Sequence, residues 1–198
     1  MTEKFTGIVL AGGLSTRMGR DKASLPWAGT NLLHTVLNAL VPVCQQIIVV
    51  TNIVRVISVP GVIVVSDEYR GCGALGGIHA GLKASANEYN FIVACDMPFV
   101  QAPAVEYMMQ CAAGYDVVVP YIDKRYHPLH AIYNRRCLPY FQMMLDRGCY
   151  RIISLFENLK IRLVEKSELA AFDSSCIMLS NLNSPDDIKK TLRKNDFL

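Results

Sequence analysis

A chain of 198 residues, 52% of them hydrophobic, has the size of a single domain spanning 1–198 and enough apolar content for a large core, which excludes a disordered chain. The formal charge of +3 is too small an excess for the basic stripe that nucleic-acid binding wants, although it is compatible with a local phosphate pocket. Seven cysteines (Cys44, Cys72, Cys95, Cys111, Cys137, Cys149 and Cys176) form no C-x-x-C pair and keep irregular spacings, which disfavours a zinc cage or disulfide framework and predicts reduced, mostly buried thiols.

The N-terminal stretch MTEKFTGIVLAGG is too short for a membrane span, breaks into glycine and lacks a signal-peptide pattern. The cytoplasm is therefore the expected compartment, with no membrane partner. Apolar runs at 6–10 (TGIVL), 46–51 (QIIVVT), 62–66 (VIVVS) and 91–95 (FIVAC) read as buried strands, because they are apolar nearly throughout rather than alternating. Amphipathic stretches near 30–43, 75–86 and 102–113 lie between or after them and read as helices. Strand, helix, strand in this order predicts right-handed crossovers and a mostly parallel sheet.

The later chain is less regular. Residues 116–121 (DVVVPY) and 129–133 (LHAIY) read as strands, 135–147 and 150–158 as helices, and 161–165 (IRLVE) and 175–180 (SCIMLS) as short strands. From Ser184 the tail opens like a helix, with Ser184 as N-cap, Pro185 at the first position, and Asp186 and Asp187 at the positive end. The expected architecture is a three-layer α/β domain.

Ligands of such sheets bind beyond the carboxyl ends of the strands. Gly12-Gly13, Thr51-Asn52, Asp67 and Asp96 each follow one of the first four strands, so they are expected to face one crevice. The first loop, Leu10 to Lys22, has neither the G-x-x-x-x-G-K-[ST] nor the G-x-G-x-x-G spacing, but it keeps their ingredients. Glycines let backbone N–H groups approach an anion, and Arg17 and Lys22 can neutralise phosphate oxygens. A tight turn with two solvated cations reads the same residues. Asp96, at a strand end before Met97-Pro98, suits a magnesium ligand or a capping aspartate. Asn52 suits a nucleotide contact or a turn, and Thr51 competes for the same role. Asn181 and Asn183 can donate and accept hydrogen bonds at a ligand, or serve local capping. His127 suits either a phosphate contact or a structural role, and Tyr121, Tyr126 and Tyr133 read as packing.

The loop Leu10-Ala11-Gly12-Gly13-Leu14-Ser15-Thr16-Arg17-Met18-Gly19-Arg20-Asp21-Lys22 resembles the L-A-G-G-x-S-x-R-M-G-x-D-K signature of molybdenum cofactor guanylyltransferases, in the wider nucleoside-triphosphate transferase family. Further matches follow in order. Gly73-Ala74-Leu75-Gly76-Gly77 is similar to the family's G-P-L-x-G, and Cys95-Asp96-Met97-Pro98-Phe99 to its C-D-x-P-F/Y. His127-Pro128-Leu129 resembles its H-P-L, and Asn181 to Asp187 its N-x-N-[ST]-P-E-[DE]. Ala74 departs from a common proline, and His130 stands where an apolar or aromatic residue is usual.

The resemblance implies a Rossmann-like nucleotidyltransferase domain that transfers GMP from GTP to the terminal phosphate of molybdopterin and releases pyrophosphate. It implies Leu10, Ala11, Gly12, Gly13, Lys22, Asn52, Asp67 and Asp96 at GTP, Asn181 and Asn183 at molybdopterin, and Mg2+ on Asp96. Arg17, Lys22 and Asp96 would carry the chemistry. A phosphate monoester has a second pKa of about 6, so the acceptor needs no general base; alignment and charge neutralisation are what the protein must supply. Transient contact with cofactor-delivery or molybdoenzyme-maturation proteins is a further expectation. The alternatives are a molybdopterin cytidylyltransferase, whose loop resembles L-A-A-G, a sugar-phosphate nucleotidyltransferase, or a non-catalytic nucleotide-binding protein of cofactor assembly.

Overall fold

The computed structural model describes residues 4–12, 21–54 and 57–182. The chain opens with β1 (Phe5–Leu10), a short hairpin of β2 (Pro26–Trp27) and β3 (Thr30–Asn31), then α1 (Leu32–Leu40), β4 (Gln46–Val50) and β5 (Val62–Val65). Next come α2 (Ala74–Ala84), β6 (Tyr89–Ala94), α3 (Ala102–Gln110), β7 (Val117–Ile122), β8 (Arg125–Tyr126) and β9 (His130–Asn134). The last described elements are α4 (Leu138–Asp146), β10 (Ile161–Val164) and the single turn α5 (Lys166–Leu169).

The main sheet runs β10-β7-β9-β6-β1-β4-β5, with β8 paired to β7. Its centre is a parallel block: β1 pairs with both β4 and β6, and β4 with β5. β9 is inserted antiparallel between β6 and β7. Every residue of β1 and β6 is buried, as strands covered on both faces must be. The two faces carry separate cores. One holds Leu33, Val36 and Leu37 of α1 and Val105 and Met108 of α3. The other holds Leu75, Ile78 and Leu82 of α2 and Phe141 and Leu145 of α4. The three expected layers are therefore present. The second layer lies close to the sheet: a Cβ on Gly81 of α2 would stand 2.4 Å from Cγ2 of Ile8 in β1, so only glycine permits this approach.

Four expectations need correction. The helix expected from 30 starts at Leu32, because Thr30 and Asn31 pair with the strand before them and the Asn31 side chain accepts the His34 N–H at 2.9 Å. Strand β5 lies at the sheet edge rather than inside it, with Ile63 and Val64 exposed. Residues Ile152–Asn158 form a 3-10 helix rather than an α-helix. The strand expected at 175–180 is absent: Cys176 has φ +54°, and Ile177–Leu179 form a 3-10 turn. Asp173 explains this, since its carboxylate accepts the N–H groups of Ser175 at 3.1 Å and Met178 at 2.7 Å, offering locally what a sheet would offer. The helix expected from Ser184 lies outside the described residues.

All seven cysteines are free, but burial is less general than expected. Cys95 and Cys137 are buried, Cys149 is exposed, and the others are half-buried. Burial pushes the Cys44 and Cys137 thiols up to about 12, which makes them inert at neutral pH. Among the described residues, no helix is long and apolar enough to cross a membrane.

Candidate active site

The carboxyl ends of β1, β4, β5 and β6 open onto one cleft of about 720 Å³. The parallel pairing continues one residue past each strand, so the loops leave the sheet edge level. Ala11 N–H donates to Val50 C=O at 2.9 Å, Thr51 N–H to Val65 C=O at 2.9 Å, and Cys95 N–H to Leu10 C=O at 3.0 Å. Leu10, Ala11 and Gly12 form the floor beside Ala94, Cys95 and Asp96. Of the residues expected at the site, Leu10, Ala11, Gly12, Lys22, Asn52, Asp67, Asp96 and Asn181 all line this cleft. Gly13, Arg17 and Asn183 lie outside the described residues.

Asp96 is the centre of the polar contacts. Lys22 Nζ donates to its Oδ2 at 3.0 Å, and Asn181 Nδ2 donates to its Oδ1 at 3.0 Å. The Asp96 carbonyl accepts the N–H of Leu182 at 2.8 Å. Three segments, 74 and 85 residues apart in sequence, thus meet on one side chain. The Asp96 side chain is 11% exposed and that of Lys22 22%, so the pair is screened less than a surface ion pair. Two local devices place the donors. Asp21 caps the 3-10 turn Lys22–Ser24, accepting Ala23 N–H at 3.2 Å and Ser24 Oγ–H at 2.7 Å. Leu182 is buried with Trp27 and Leu32, which ties the Asn181 segment to the hairpin that follows Lys22.

The opposite wall is built on Asp67. Its backbone N–H donates to Asn52 Oδ1 at 2.9 Å, and its Oδ1 accepts Tyr69 N–H at 2.8 Å. Gly76 of α2 lies beneath it: a Cβ there would be 2.7 Å from both carboxylate oxygens. Burial pushes the Asp67 carboxyl up from its usual value, while the Tyr69 N–H and His79 act in the other direction. Thr51 also lines the cleft, but it is buried and its hydroxyl accepts the Ile53 N–H at 3.2 Å. Gly71 and Gly73 of the same wall have φ of +85° and +64°, a bend that favours glycine.

Sequence reasoning missed Arg70 and Asp21. Arg70 is exposed on the Asp67 wall of the cleft. Its signal was available, as the one cation between Asp67 and Gly77. Asp21 was legible as a cap in the order Asp-Lys-Ala-Ser. His127 is not among the cleft-lining residues, whereas Leu129 is. Burial, then Arg125, holds the His127 imidazole below its ordinary value. His130 lies in the core, fully buried, with its ring edge-on to Phe91 at 5.0 Å. Neither ring nitrogen has a hydrogen-bond partner among the described residues, and burial pushes its pKa down to about 3. Tyr133 packs as expected, buried against Phe141 with its hydroxyl donating to Pro128 C=O at 2.9 Å.

A mostly parallel sheet that gathers the Gly12 backbone, Lys22 and Asp96 at its carboxyl edge is suited to hold nucleotide phosphates. The chain belongs to the family described as the MobA-like NTP transferase domain, whose model matches residues 7–163. It is 32% identical over 187 residues to a molybdenum cofactor guanylyltransferase of Desulfosudis oleivorans, covering 93% of each chain. It is 31% identical to the molybdenum cofactor guanylyltransferase of Syntrophotalea carbinolica, covering 98% of this chain and 93% of the relative. Among solved structures, molybdopterin-guanine dinucleotide biosynthesis protein A of Archaeoglobus fulgidus superposes with a TM-score of 0.82 at 25% identity, covering 98% of this chain and 100% of that one.

Proposed function

We propose that the cleft transfers GMP from GTP to the terminal phosphate of molybdopterin, releasing pyrophosphate. The observation that carries this reading is the meeting of Lys22 and Asn181 on Asp96, each at 3.0 Å, beside the backbone of Ala11 and Gly12. A cation, a hard oxygen donor and an approachable backbone on one floor are what two repelling phosphates require.

The donor chemistry at Asp96 fits a hard divalent cation, since magnesium uses one or two carboxylates together with substrate phosphate oxygens. Magnesium would be held by Asp96 and would offset charge on the nucleotide phosphates. Lys22 neutralises charge on the α-phosphate and the leaving pyrophosphate, a role the family resemblance extends to Arg17. The backbone of Leu10, Ala11 and Gly12 holds the triphosphate, a role the family resemblance extends to Gly13. Asn52 braces Asp67 at the nucleoside wall, and the Gly71–Gly77 segment closes around the base. Asn181 faces the acceptor, a role the family resemblance extends to Asn183. The acceptor phosphate is its own nucleophile, so no side chain has to remove a proton. Cytoplasmic location and contact with cofactor-delivery or maturation proteins accord with this role.

The test is pyrophosphate release with GTP and magnesium. Release that depends on added molybdopterin supports the reading. Release indifferent to molybdopterin, or none at all, overturns the choice of acceptor or the activity.

A further inference from the structure

Each Asp96 oxygen already has a partner. Oδ2 carries the Lys22 ammonium and Oδ1 the Asn181 amide, each at 3.0 Å. Asp67 and Asp21 line the same cleft, but Asp67 already accepts the Tyr69 N–H and Asp21 caps the turn that carries Lys22. Among the described residues, no group of three or more His, Cys, Asp or Glu side chains stands together as a metal cluster. A small divalent cation approaching Asp96 without nucleotide meets a carboxylate whose Oδ2 is already in contact with an ammonium. Coulomb repulsion between the two cations and the loss of the Lys22 contact both oppose its entry. A nucleoside triphosphate changes this balance in two ways. It supplies the remaining oxygen donors that the cation needs. It also offers Lys22 phosphate oxygens in exchange for Oδ2.

We propose that Lys22 is the resident counter-ion of Asp96 and yields the carboxylate to a divalent cation only when a nucleoside triphosphate arrives. Lys22 thereby makes metal binding conditional on nucleotide. Asn181 is a positioning residue that holds the other oxygen and keeps the carboxylate turned into the cleft during the exchange. This rests on the nucleotidyltransferase reading above and adds an order of events to it: the cation enters with the nucleotide and not before it.

The consequence has opposite signs with and without nucleotide, which a simple loss of a useful charge would not produce. The experiment is a Mn2+ titration followed by electron paramagnetic resonance, on the full chain alone and with a GTP analogue carrying a non-cleavable α,β-methylene bridge. Lys22→Met keeps the aliphatic stem and removes the charge; Lys22→Arg keeps the charge. Without nucleotide, Lys22→Met should bind Mn2+ at least fivefold more tightly than wild type, while Lys22→Arg stays near wild type. The gain should vanish in the double variant with Asp96→Asn. With the analogue, the order should reverse, wild type binding Mn2+ more tightly than Lys22→Met. Circular dichroism checks that each variant is folded, and Lys22→Gln replaces Lys22→Met if the latter is not. The proposal is overturned if the uncharged variant gains no Mn2+ affinity, if the gain survives Asp96→Asn, or if wild type binds Mn2+ equally well with and without the analogue. Product formation measured on the same preparations separates the two readings. Wild type that makes the dinucleotide while Lys22→Met shows no gain removes only the hand-over. Wild type that makes no dinucleotide while the Mn2+ order holds removes only the guanylyl assignment.

Discussion

The side-chain oxygen of Asn52 accepts the backbone N–H of Asp67 at 2.9 Å, so the loop after β4 fixes the start of the loop after β5. The carboxylate it positions rests on Gly76, where a Cβ would intrude to 2.7 Å. On the proposed reading, both residues would act on the nucleotide through Asp67. Asn52→Ala should cost about 1 kcal/mol of positioning, the net worth of one hydrogen bond, and raise the KM for nucleotide about fivefold. Gly76→Ala should raise it further, because Asp67 must leave its Tyr69 contact to make room. kcat should change less than KM in both. Steady-state kinetics decide, and an unchanged KM in Gly76→Ala would remove Asp67 from nucleotide binding.

Gly12 allows a clean test of base choice. Among the described residues, a Cβ at this position would meet only the Val50 carbonyl oxygen, at 3.9 Å, so alanine fits there without strain. Any effect of Gly12→Ala then belongs to the ligand. The variant should keep wild-type stability and lose part of the preference for GTP over CTP, by crowding the larger purine. The ratio of kcat/KM for the two nucleotides measures this. An unchanged ratio would show that Gly12 does not read the base.

Asp96→Asn should leave the sheet intact and lower kcat by roughly 10²–10³, the usual cost of removing a group that supports transition-state charge. An amide is a poor ligand for a hard cation, and it leaves Lys22 facing a neutral group. Turnover near wild type in magnesium buffer would take Asp96 out of the mechanism.

His130 ties stability to pH. Its folded pKa is about 3, against an ordinary 6.5, so between these values the unfolded chain binds a proton that the folded chain refuses. Stability from this residue is therefore present above pH 6.5 and is lost as pH falls toward 3. His130→Phe keeps an aromatic ring against Phe91 and removes two unpartnered nitrogens. It should be at least as stable as wild type at pH 7, with an advantage growing by on the order of 2 kcal/mol at pH 5. Urea unfolding at both pH values checks this, and a pH-independent difference would contradict the buried, neutral imidazole.

Much of this was legible in the sequence. The central parallel strands showed as unbroken apolar runs, and the loop motifs pointed at one crevice because parallel strands align their carboxyl ends. What escaped depends on long-range or local detail. Strand β5 reads Val-Ile-Val-Val, which does not distinguish an edge from a centre; its place follows from the strand order. The β2–β3 hairpin was missed because its turn, Ala28-Gly29, holds positive φ at both residues without the Asn-Gly signal usual there. The apolar run near Cys176 suggested a strand, but a side chain three residues earlier had already taken its backbone donors. The motifs assigned Lys22 and Asp96 to the nucleotide and Asn181 to the molybdopterin side of the cleft. That the lysine and the amide occupy the two oxygens of a single carboxylate is a product of the fold.

Transfer of GMP to a molybdopterin phosphate is tested most directly by identifying the product. The protein is offered GTP, CTP, ATP and UTP together, with molybdopterin and magnesium, and the product is resolved by mass spectrometry. The guanine dinucleotide should dominate, in step with pyrophosphate release. A cytosine dinucleotide, or an equal mixture, would contradict the guanylyl assignment while leaving a nucleotidyltransferase, and the absence of any dinucleotide would contradict molybdopterin as the acceptor.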